Sequence, residues 1–236
     1  MSEKCAVILA GGRGTRLRPY TIAMPKPLVP VGDYPILEII IRQLSSRGFT
    51  RIILTVNHQA DLIMAYFGHG EKWGIDIEYS LETEPLGTMG PLSNIDNLPE
   101  SFIVMNGDIL TDLDYDAFLE NHIRAGSIFT ISAYQRDHRV DYGVLHSDQD
   151  GVLVGFEEKP LLHYTVSMGI YSVSGAALEH IPKNTPFGFD DLMLKLIRYN
   201  QKVKIELFNG YWLDIGRPED YQRATEDFSD KKQMFL

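Results

Sequence analysis

Residues 7–32, VILAGGRGTRLRPYTIAMPKPLVPVG, decide the fold of this chain, because an apolar strand runs there into a glycine-rich turn and then into a basic segment. Positions 11–32 hold four basic residues and no acidic one, in a chain of 236 residues with a formal net charge of -10. The four are Arg13, Arg16, Arg18 and Lys26. Backbone N–H groups and guanidinium groups that meet at the end of a strand form a site for phosphate oxygens. This stretch therefore predicts a nucleoside triphosphate site.

The elements around this stretch predict an α/β fold. Residues 4–10 form the continuous apolar run of a buried parallel strand. A helix begins at Pro35 and stops at Gly48, and the strand RIILTVN follows, so the three elements form a βαβ unit with a right-handed crossover. Further strands are predicted at 75–81, 101–108, 127–134, 167–174, 203–209 and 211–216, and further helices at 60–67, 116–125, 189–199 and 218–227. We expect a Rossmann-like mixed sheet, mostly parallel and flanked by helices, which the segment 211–216 completes.

Length and composition indicate a single domain, residues 1–236. The chain is 44% hydrophobic, which is enough for one sizeable core. Residues 1–110 are predicted to bind the nucleotide, and residues 111–236 to supply the pocket of a second substrate. From residue 142 onward apolar and polar residues alternate around an Asp150-Gly151 turn, which predicts an antiparallel hairpin.

The composition argues against nucleic-acid and membrane partners. A net charge of -10 does not suit a broad nucleic-acid surface, and no stretch reaches the roughly 18 apolar residues of a membrane span. The N-terminal residues lack the pattern of a signal peptide, so we expect a cytoplasmic protein. Cys5 is the only cysteine, which excludes an internal disulfide. The exposed edges of a mixed sheet make a homo-oligomer plausible.

The glycine loop differs from the two common nucleotide-binding glycine motifs. The Rossmann pattern G-x-G-x-x-G would need a third glycine at the position of Leu17. The P-loop pattern would need G-K-[ST], where the chain has Gly14, Thr15 and Arg16. A purely structural turn would explain the glycines but not the arginines. The loop is therefore predicted to be another kind of phosphate site.

The same loop closely resembles the signature of the sugar nucleotidyltransferases, also called nucleotide-sugar pyrophosphorylases. Its sequence GGRGTRL at 11–17 is followed by PKP at 25–27, as in that family. Later motifs follow in the family's order over nearly the whole chain: Glu82 with PLGT at 85–88, NGD at 106–108, YG at 142–143, EEKP at 157–160, and WLDIG at 212–216 with Pro218. The length matches the family's catalytic domain alone. The resemblance implies a nucleotide-diphospho-sugar transferase fold without the C-terminal β-helix that many relatives append.

The resemblance implies a nucleoside triphosphate and a sugar 1-phosphate as partners. A sugar-phosphate oxygen attacks the α-phosphorus in line, giving a nucleotide sugar and pyrophosphate. Both reactants are polyanions, so catalysis is mainly charge neutralisation and alignment, and no protein nucleophile is needed. Mg²⁺ is the implied cofactor, because it binds a few carboxylates together with phosphate oxygens.

The resemblance also implies roles for individual residues. The implied catalytic residues are Arg16, Lys26, Asp108, Lys159 and Asp214. Arg16 holds the β- and γ-phosphates, Lys26 lies near the α-phosphate, and Lys159 binds the sugar 1-phosphate. Asp108 and Asp214 bind Mg²⁺. The implied nucleotide-binding residues are Leu9, Ala10, Gly11, Gly12, Arg13, Gly14, Thr15, Arg16, Glu82, Pro85, Gly87, Thr88, Asn106 and Gly107. The implied sugar-phosphate-binding residues are Tyr142, Gly143, Glu158, Lys159, Ser167 and Gly169.

Simpler interpretations stay open for three of these residues. Lys26 fits an exposed loop lysine, Asp214 a helix cap, and Glu158 a solvated strand residue. The acidic run at 112–116 resembles a calcium loop, but the EF-hand pattern needs glycine where the chain has Ala117. We interpret that run as a turn and a helix start.

Glu82 and residues 167–171 bear on the choice of substrates. A carboxylate only accepts hydrogen bonds, and the Watson–Crick edge of guanine offers two adjacent donors, so Glu82 favours GTP. The first loop also resembles the mannose-1-phosphate guanylyltransferase branch. That branch has Asn-Ala-Gly-Ile-Tyr where this chain has Ser-Met-Gly-Ile-Tyr at 167–171, so a manno-configured heptose competes with mannose. The alternatives are a uridylyl- or other nucleotidyltransferase, a glycosyltransferase, and a non-catalytic nucleotide-sugar-binding regulatory protein.

Overall fold

A computed structural model of the chain describes residues 3–57 and 59–236. The strands in these ranges are β1 Cys5–Leu9, β2 Pro30–Val31, β3 Tyr34–Pro35, β4 Arg51–Val56, β5 Asp76–Leu81, β6 Ser101–Asn106, β7 Ile109–Thr111, β8 Phe129–Arg139, β9 Val144–Ser147, β10 Leu153–Glu157, β11 Leu161–Ser174, β12 Val203–Phe208 and β13 Trp212–Asp214. The helices are α1 Ile36–Ser46, α2 Ala60–Phe67, α3 Tyr115–Ala125, α4 Phe189–Arg198, α5 Pro218–Asp230 and α6 Lys232–Phe235.

Seven strands form the central sheet, in the order β12-β8-β11-β6-β1-β4-β5. β6, β1, β4 and β5 are parallel neighbours, and β12 runs parallel to β8. β11 is antiparallel to both of its neighbours. The expected mixed, mostly parallel sheet flanked by helices is therefore confirmed, and the part of the chain that the structure describes contains no β-helix.

The prediction that residues 211–216 complete the sheet was wrong. β13 pairs with β7 in a separate two-stranded ribbon. The reason is that β6 ends at Asn106 and the chain turns at Gly107-Asp108, so β7 leaves the sheet and offers its own edge to β13. The amide of Ile215 donates to the carbonyl of Asp108 at 3.0 Å, which fixes the ribbon to the end of β6.

The hydrophobic core lies on both faces of the sheet. Ala6 and Ile8 of β1 pack into one cluster with α1, while Cys5 and Val7 point into a second cluster with α4. α1 buries the apolar stripe that its sequence predicts and also Glu38. β1 is therefore the centre of the fold, and the loop that follows it is anchored from both sides.

The predicted acidic turn has the expected structural role. Asp114 is the N-cap of α3, and its carboxylate accepts hydrogen bonds from the amides of Asp116 and Ala117 at 3.1 Å each. Asp112 accepts from the amide of Tyr211 at 2.6 Å. Throughout the described ranges, no helix combines the length and the apolar character needed to cross a membrane.

Candidate active site

A pocket of about 520 Å³ opens at the carboxyl edge of the parallel strands, where β1, β5 and β6 end. All fourteen residues predicted to bind the nucleotide line it, and so do Lys26 and Asp108. The strand ends explain why these residues meet, since the glycine loop follows β1, Glu82 follows β5, and Gly107-Asp108 follow β6.

The sequence-based interpretation missed four further lining residues, which are Pro27, Thr55, Asn57 and Gly216. Thr55 and Asn57 lie at the end of β4, so the same strand-end rule would have found them.

The glycine loop packs closely against the basic segment that follows it in the chain. Gly14 has a φ of 59°, and a Cβ there would lie 2.9 Å from Thr21 and 3.2 Å from the Cβ of Lys26. The hydroxyl of Thr21 donates to the carbonyl of Gly14 at 2.7 Å. Only glycine fits a left-handed residue in this space. The loop and Lys26 therefore form one unit, although twelve positions separate Gly14 from Lys26.

Lys26, Asp108 and Asp214 form the charged centre of the site. The Lys26 ammonium is ion-paired with the Asp108 carboxylate, and both side chains are largely buried. The β13–β7 ribbon places Asp214 opposite Ile109, next to Asp108. Burial, and then the charge of Asp108, raise the pKa of the Asp214 carboxyl, while Lys26 and Arg16 act to lower it. The guanidinium of Arg16 also lies beside Gly216, about 3.9 Å from where a Cβ would be.

The predicted pair of magnesium ligands fits a hard divalent cation. The charge of Asp108 helps to raise the pKa of the Asp214 carboxyl, a repulsion that a cation bound between the two carboxylates would relieve, and carboxylate oxygens are the donors that Mg²⁺ prefers. Among the described residues no group of three or more His, Cys, Asp and Glu side chains is placed to hold a metal. A cation at Asp108 and Asp214 would therefore depend on oxygens from a ligand for its other bonds.

Glu82 is partly buried and does not simply face solvent. Its Oε2 accepts a hydrogen bond from the amide of Leu86 at 3.2 Å, and its Oε1 lies 3.1 Å from where a Cβ of Gly11 would be. Burial raises the pKa of its carboxyl, and the Leu86 hydrogen bond opposes that shift. Gly87 has a φ of 78°, and a Cβ there would lie 2.8 Å from the carbonyl oxygen of Phe187. The hydrogen bond between Glu82 and Leu86 therefore closes the loop 82–88, which lines the pocket opposite the glycine loop.

The six residues predicted for the sugar phosphate do not line this pocket, and neither does Asp214. Gly169 lies next to the pocket, because a Cβ there would come within 2.6 Å of Nδ2 of Asn106, which lines it. The hydroxyl of Ser167 accepts from the amide of Gly169 and donates to the hydroxyl of Tyr171, each at 3.2 Å. These contacts form at the bulge where β11 shifts its register against β8.

The other four residues come earlier in the chain, at the two ends of the exposed hairpin formed by β9 and β10. Glu158, Lys159 and Tyr142 are exposed. Gly143 lies against Glu158, since a Cβ there would be 3.3 Å from its Oε2. The structure therefore brings Gly143 and Glu158 together, but it does not bring them into the nucleotide pocket.

A glycine loop, basic side chains and two neighbouring carboxylates at the carboxyl edge of a parallel sheet define a nucleotide-binding α/β protein. The chain belongs to the nucleotidyl transferase family, whose model matches residues 5–231. The resemblance to the sugar nucleotidyltransferases is thereby confirmed.

Curated relatives include enzymes that use different nucleotides. The chain is 32% identical over 239 residues to the UTP--glucose-1-phosphate uridylyltransferase of Synechocystis, covering 93% of this chain and 62% of the relative. It is 34% identical over 223 residues to the mannose-1-phosphate guanylyltransferase catalytic subunit beta of Drosophila pseudoobscura pseudoobscura, covering 92% and 60%. The chain thus spans 60–62% of the length of these relatives.

Solved structures with this fold match the chain almost end to end. HddC from Yersinia pseudotuberculosis is 33% identical with a TM-score of 0.75, over 95% of this chain and 99% of HddC. The same protein complexed with GMP-PN gives a TM-score of 0.74 at the same identity.

Proposed function

We propose that this chain joins a nucleoside triphosphate, GTP by preference, to a sugar 1-phosphate of the manno series, giving a nucleotide sugar and pyrophosphate. The observation that carries the proposal is the meeting of the glycine loop, Arg16, Lys26 and Asp108 around one pocket, with Asp214 beside it. The similarity to guanylyltransferases and to HddC, whose structure was solved complexed with GMP-PN, supports the same chemistry.

The triphosphate tail lies along the glycine loop in this proposal. Gly11, Gly12 and Gly14 present backbone N–H groups to the phosphates without a side chain in the way. The guanidinium of Arg16 binds the departing pyrophosphate, and the ammonium of Lys26 binds the α-phosphate that is attacked. These two positive charges stabilise the negative charge that develops on the leaving pyrophosphate in the transition state. In this proposal, that electrostatic stabilisation supplies most of the rate enhancement.

Asp108 and Asp214 hold the cation in this proposal. Mg²⁺, when bound, neutralises phosphate oxygens and aligns them for in-line displacement. Binding of the triphosphate gives Lys26 a second anion besides Asp108, so Lys26 can turn from the carboxylate to the α-phosphate. Asp108 is then free to accept a cation.

Glu82 selects the base in this proposal. Its Oε2 already accepts from the amide of Leu86, and the remaining lone pairs of the carboxylate are available to two adjacent donors. Guanine offers such a pair of donors, whereas uracil offers one donor between two acceptors. Uridylyl transfer is the second candidate, since the chain is 32% identical to a uridylyltransferase.

The two halves of the chain, residues 1–110 and 111–236, bind the two substrates in this proposal. The sugar 1-phosphate lies between the end of β6 at Asn106 and the pair formed by Gly143 and Glu158. Glu158 accepts hydrogen bonds from sugar hydroxyls, and Lys159 binds the phosphate. Ser167 and Gly169 form the border between the halves, because Gly169 contacts Asn106.

The test is a panel of GTP, UTP, ATP and dTTP against several sugar 1-phosphates, including mannose and a manno-heptose, with pyrophosphate release as the readout. We expect release with GTP and a manno-configured sugar. Glu82→Gln should lower the ratio of kcat/KM for GTP over UTP by about tenfold or more, since one hydrogen bond to the base is lost. Glu84→Gln, in the same loop but outside the pocket lining, is the matched control and should leave the ratio unchanged. No release with any pair would overturn the proposal.

A further inference from the structure

Three neighbouring strands of the central sheet, β1, β4 and β5, end side by side at the nucleotide pocket. β4 and β5 are parallel, and their last residues, Val56 and Leu81, lie opposite each other. The next residue after β4 is Asn57, and the next after β5 is Glu82. The amide of Glu82 donates to the carbonyl of Val56 at 2.9 Å, which continues the pairing beyond the strands. Asn57 and Glu82 are therefore neighbours at one edge of the sheet.

The side chains of Asn57 and Glu82 share the space beside Gly11. A Cβ at Gly11 would lie 3.1 Å from Oε1 of Glu82 and 3.4 Å from the Cβ of Asn57. All three residues line the pocket. Glu82 uses its other oxygen, Oε2, to accept from the amide of Leu86 at 3.2 Å. Oε1 and the short Asn57 side chain thus lie together at a place where the absence of a side chain on Gly11 leaves room for a ligand.

The Watson–Crick edge of guanine carries three polar groups in a row, of which two donate hydrogen bonds and one accepts. The N1–H and N2–H groups donate, and they suit a carboxylate, which only accepts. O6 is an acceptor, so the carboxylate of Glu82 cannot bind it. An acceptor that leaves water without gaining a donor lowers the affinity. A pocket that selects guanine therefore needs a donor beside Glu82.

The side-chain amide of Asn57 has the chemistry and the position of that donor. Its NH₂ group offers two N–H donors. Thr55, two residues earlier on the same face of β4, also carries a donor, but it is only 1% exposed. Asn57 is partly exposed in the pocket. At the end of β4, Asn57 is therefore the residue that a base can reach.

We propose that Asn57 is a second base-reading residue, whose amide donates to O6 of guanine while Glu82 accepts from N1–H and N2–H. The inference rests on the proposed preference for GTP and names another residue on which that preference depends. Adenine has an acceptor at N1 and a donor at N6, so it opposes Glu82 and needs the Asn57 amide reversed. The pair together thus selects a base that neither residue selects alone.

Calorimetric titration of the full chain, without a sugar 1-phosphate, tests the inference with three nucleotides. They are GTP, inosine triphosphate, which lacks the N2 amino group, and 6-thioguanosine triphosphate, in which sulfur, a weak acceptor, replaces O6. Wild type should bind GTP about tenfold more tightly than either analogue, since each analogue loses one hydrogen bond. Asn57→Ala should lose the preference for GTP over the thio analogue and keep the preference over inosine triphosphate. Glu82→Gln should have the opposite pattern.

A second variant and a matched control accompany this titration. Asn57→Asp replaces the donor by an acceptor of nearly the same size, so GTP should bind about tenfold more weakly than to Asn57→Ala. It also keeps the inference testable if the alanine variant is unstable. Asn209→Ala changes an exposed asparagine outside the pocket lining and should leave all three affinities unchanged. Circular dichroism checks that every variant is folded.

Two results would overturn the inference alone. One is a wild type that prefers GTP over UTP but binds GTP and the thio analogue equally, since O6 is then not read. The other is an Asn57→Ala variant that keeps the wild-type ratio between these two nucleotides, since another group then donates to O6. A wild type that binds UTP more tightly than GTP contradicts the proposed preference for GTP, and this inference with it. The failure of the inference and the failure of the proposed function are therefore distinguishable.

Discussion

Lys26 and Asp108 are ion-paired across 82 residues of sequence, at the point where the glycine loop meets the end of β6. The pair neutralises a largely buried carboxylate in the absence of ligands. A metal ion could bind Asp108 only in competition with the ammonium of Lys26. The proposed movement of Lys26 from Asp108 to the α-phosphate can be tested through this contact.

Lys26→Met is expected to have two opposite effects. Turnover should fall by about 10²–10³-fold, because the attacked phosphate loses its cation. Binding of Mn²⁺ by the ligand-free chain should become about tenfold tighter, because Asp108 is no longer neutralised. Electron paramagnetic resonance titration of free Mn²⁺ measures the second effect without turnover. The control is Lys183→Met, an exposed lysine away from the pocket. Unchanged Mn²⁺ affinity in the Lys26 variant would show that the ion pair does not compete with the metal.

Asp214→Asn is expected to stabilise the ligand-free chain and abolish its activity. Burial and the neighbouring Asp108 raise the pKa of the Asp214 carboxyl, so its ionised form is destabilising at neutral pH. The amide removes that charge, and Tm should rise by about 2–4 °C if roughly 1 kcal/mol is gained. Pyrophosphate release should fall at least about 100-fold, since one of the two carboxylates for the cation is lost. Calorimetry and the release assay measure both. Asp230→Asn, at the exposed end of α5, should change neither. A lower Tm for Asp214→Asn would argue that its charge is satisfied by the protein alone.

The nucleotide side of the site could be predicted from the sequence because each of its parts directly follows a strand that the sequence shows. The glycine loop, Glu82 and Asp108 lie close together since parallel strands end at one edge. Asp214 could be placed only by resemblance. Its strand is three residues long and shows no periodicity, and it pairs with β7 rather than with the sheet.

The hairpin of β9 and β10 shows that the sequence can predict a strand pair without predicting which of its side chains are buried. Alternation of apolar and polar residues predicts a ribbon, and β9 pairs with β10 as expected. The same alternation normally indicates a buried face, but Leu145 and Phe156, which lie opposite each other, are both exposed. What covers an apolar face depends on the position of the ribbon in the fold, which local patterns do not contain.

His122 is expected to make stability depend on pH. It is buried, its Nδ1 lies 2.8 Å from Oγ1 of Thr130, and its Nε2 lies 3.0 Å from Oγ of Ser174. Burial, with a smaller effect of Lys204, lowers its pKa to about 4. The folded state therefore binds this proton less well than the unfolded state. The stability it contributes is complete above about pH 6.5 and is lost as the pH falls toward 4.

His122→Gln should remove this pH dependence. The difference in unfolding free energy between wild type and variant should shrink by about 3 kcal/mol between pH 6.5 and 4, as the wild type loses its advantage. Urea denaturation at several pH values measures that difference. His69→Gln changes an exposed histidine, and the corresponding difference should stay constant. A constant difference for His122→Gln as well would mean that the imidazole can be protonated in the folded chain.

Gly169→Ala is expected to weaken GTP binding, although Gly169 itself does not line the nucleotide pocket. The residue has a φ of 74°, and the added Cβ would lie 2.6 Å from Nδ2 of Asn106, which lines the pocket. Both the strained backbone and the displaced amide destabilise the chain. Gly48→Ala separates the two causes, because Gly48 has a φ of 79° and nothing within 4 Å of a Cβ. Both variants should lose about 1 kcal/mol or more of stability in urea denaturation, but only Gly169→Ala should weaken GTP binding, by about tenfold, in a calorimetric titration. Equal GTP affinity in the two variants would show that Asn106 can move without consequence for the nucleotide.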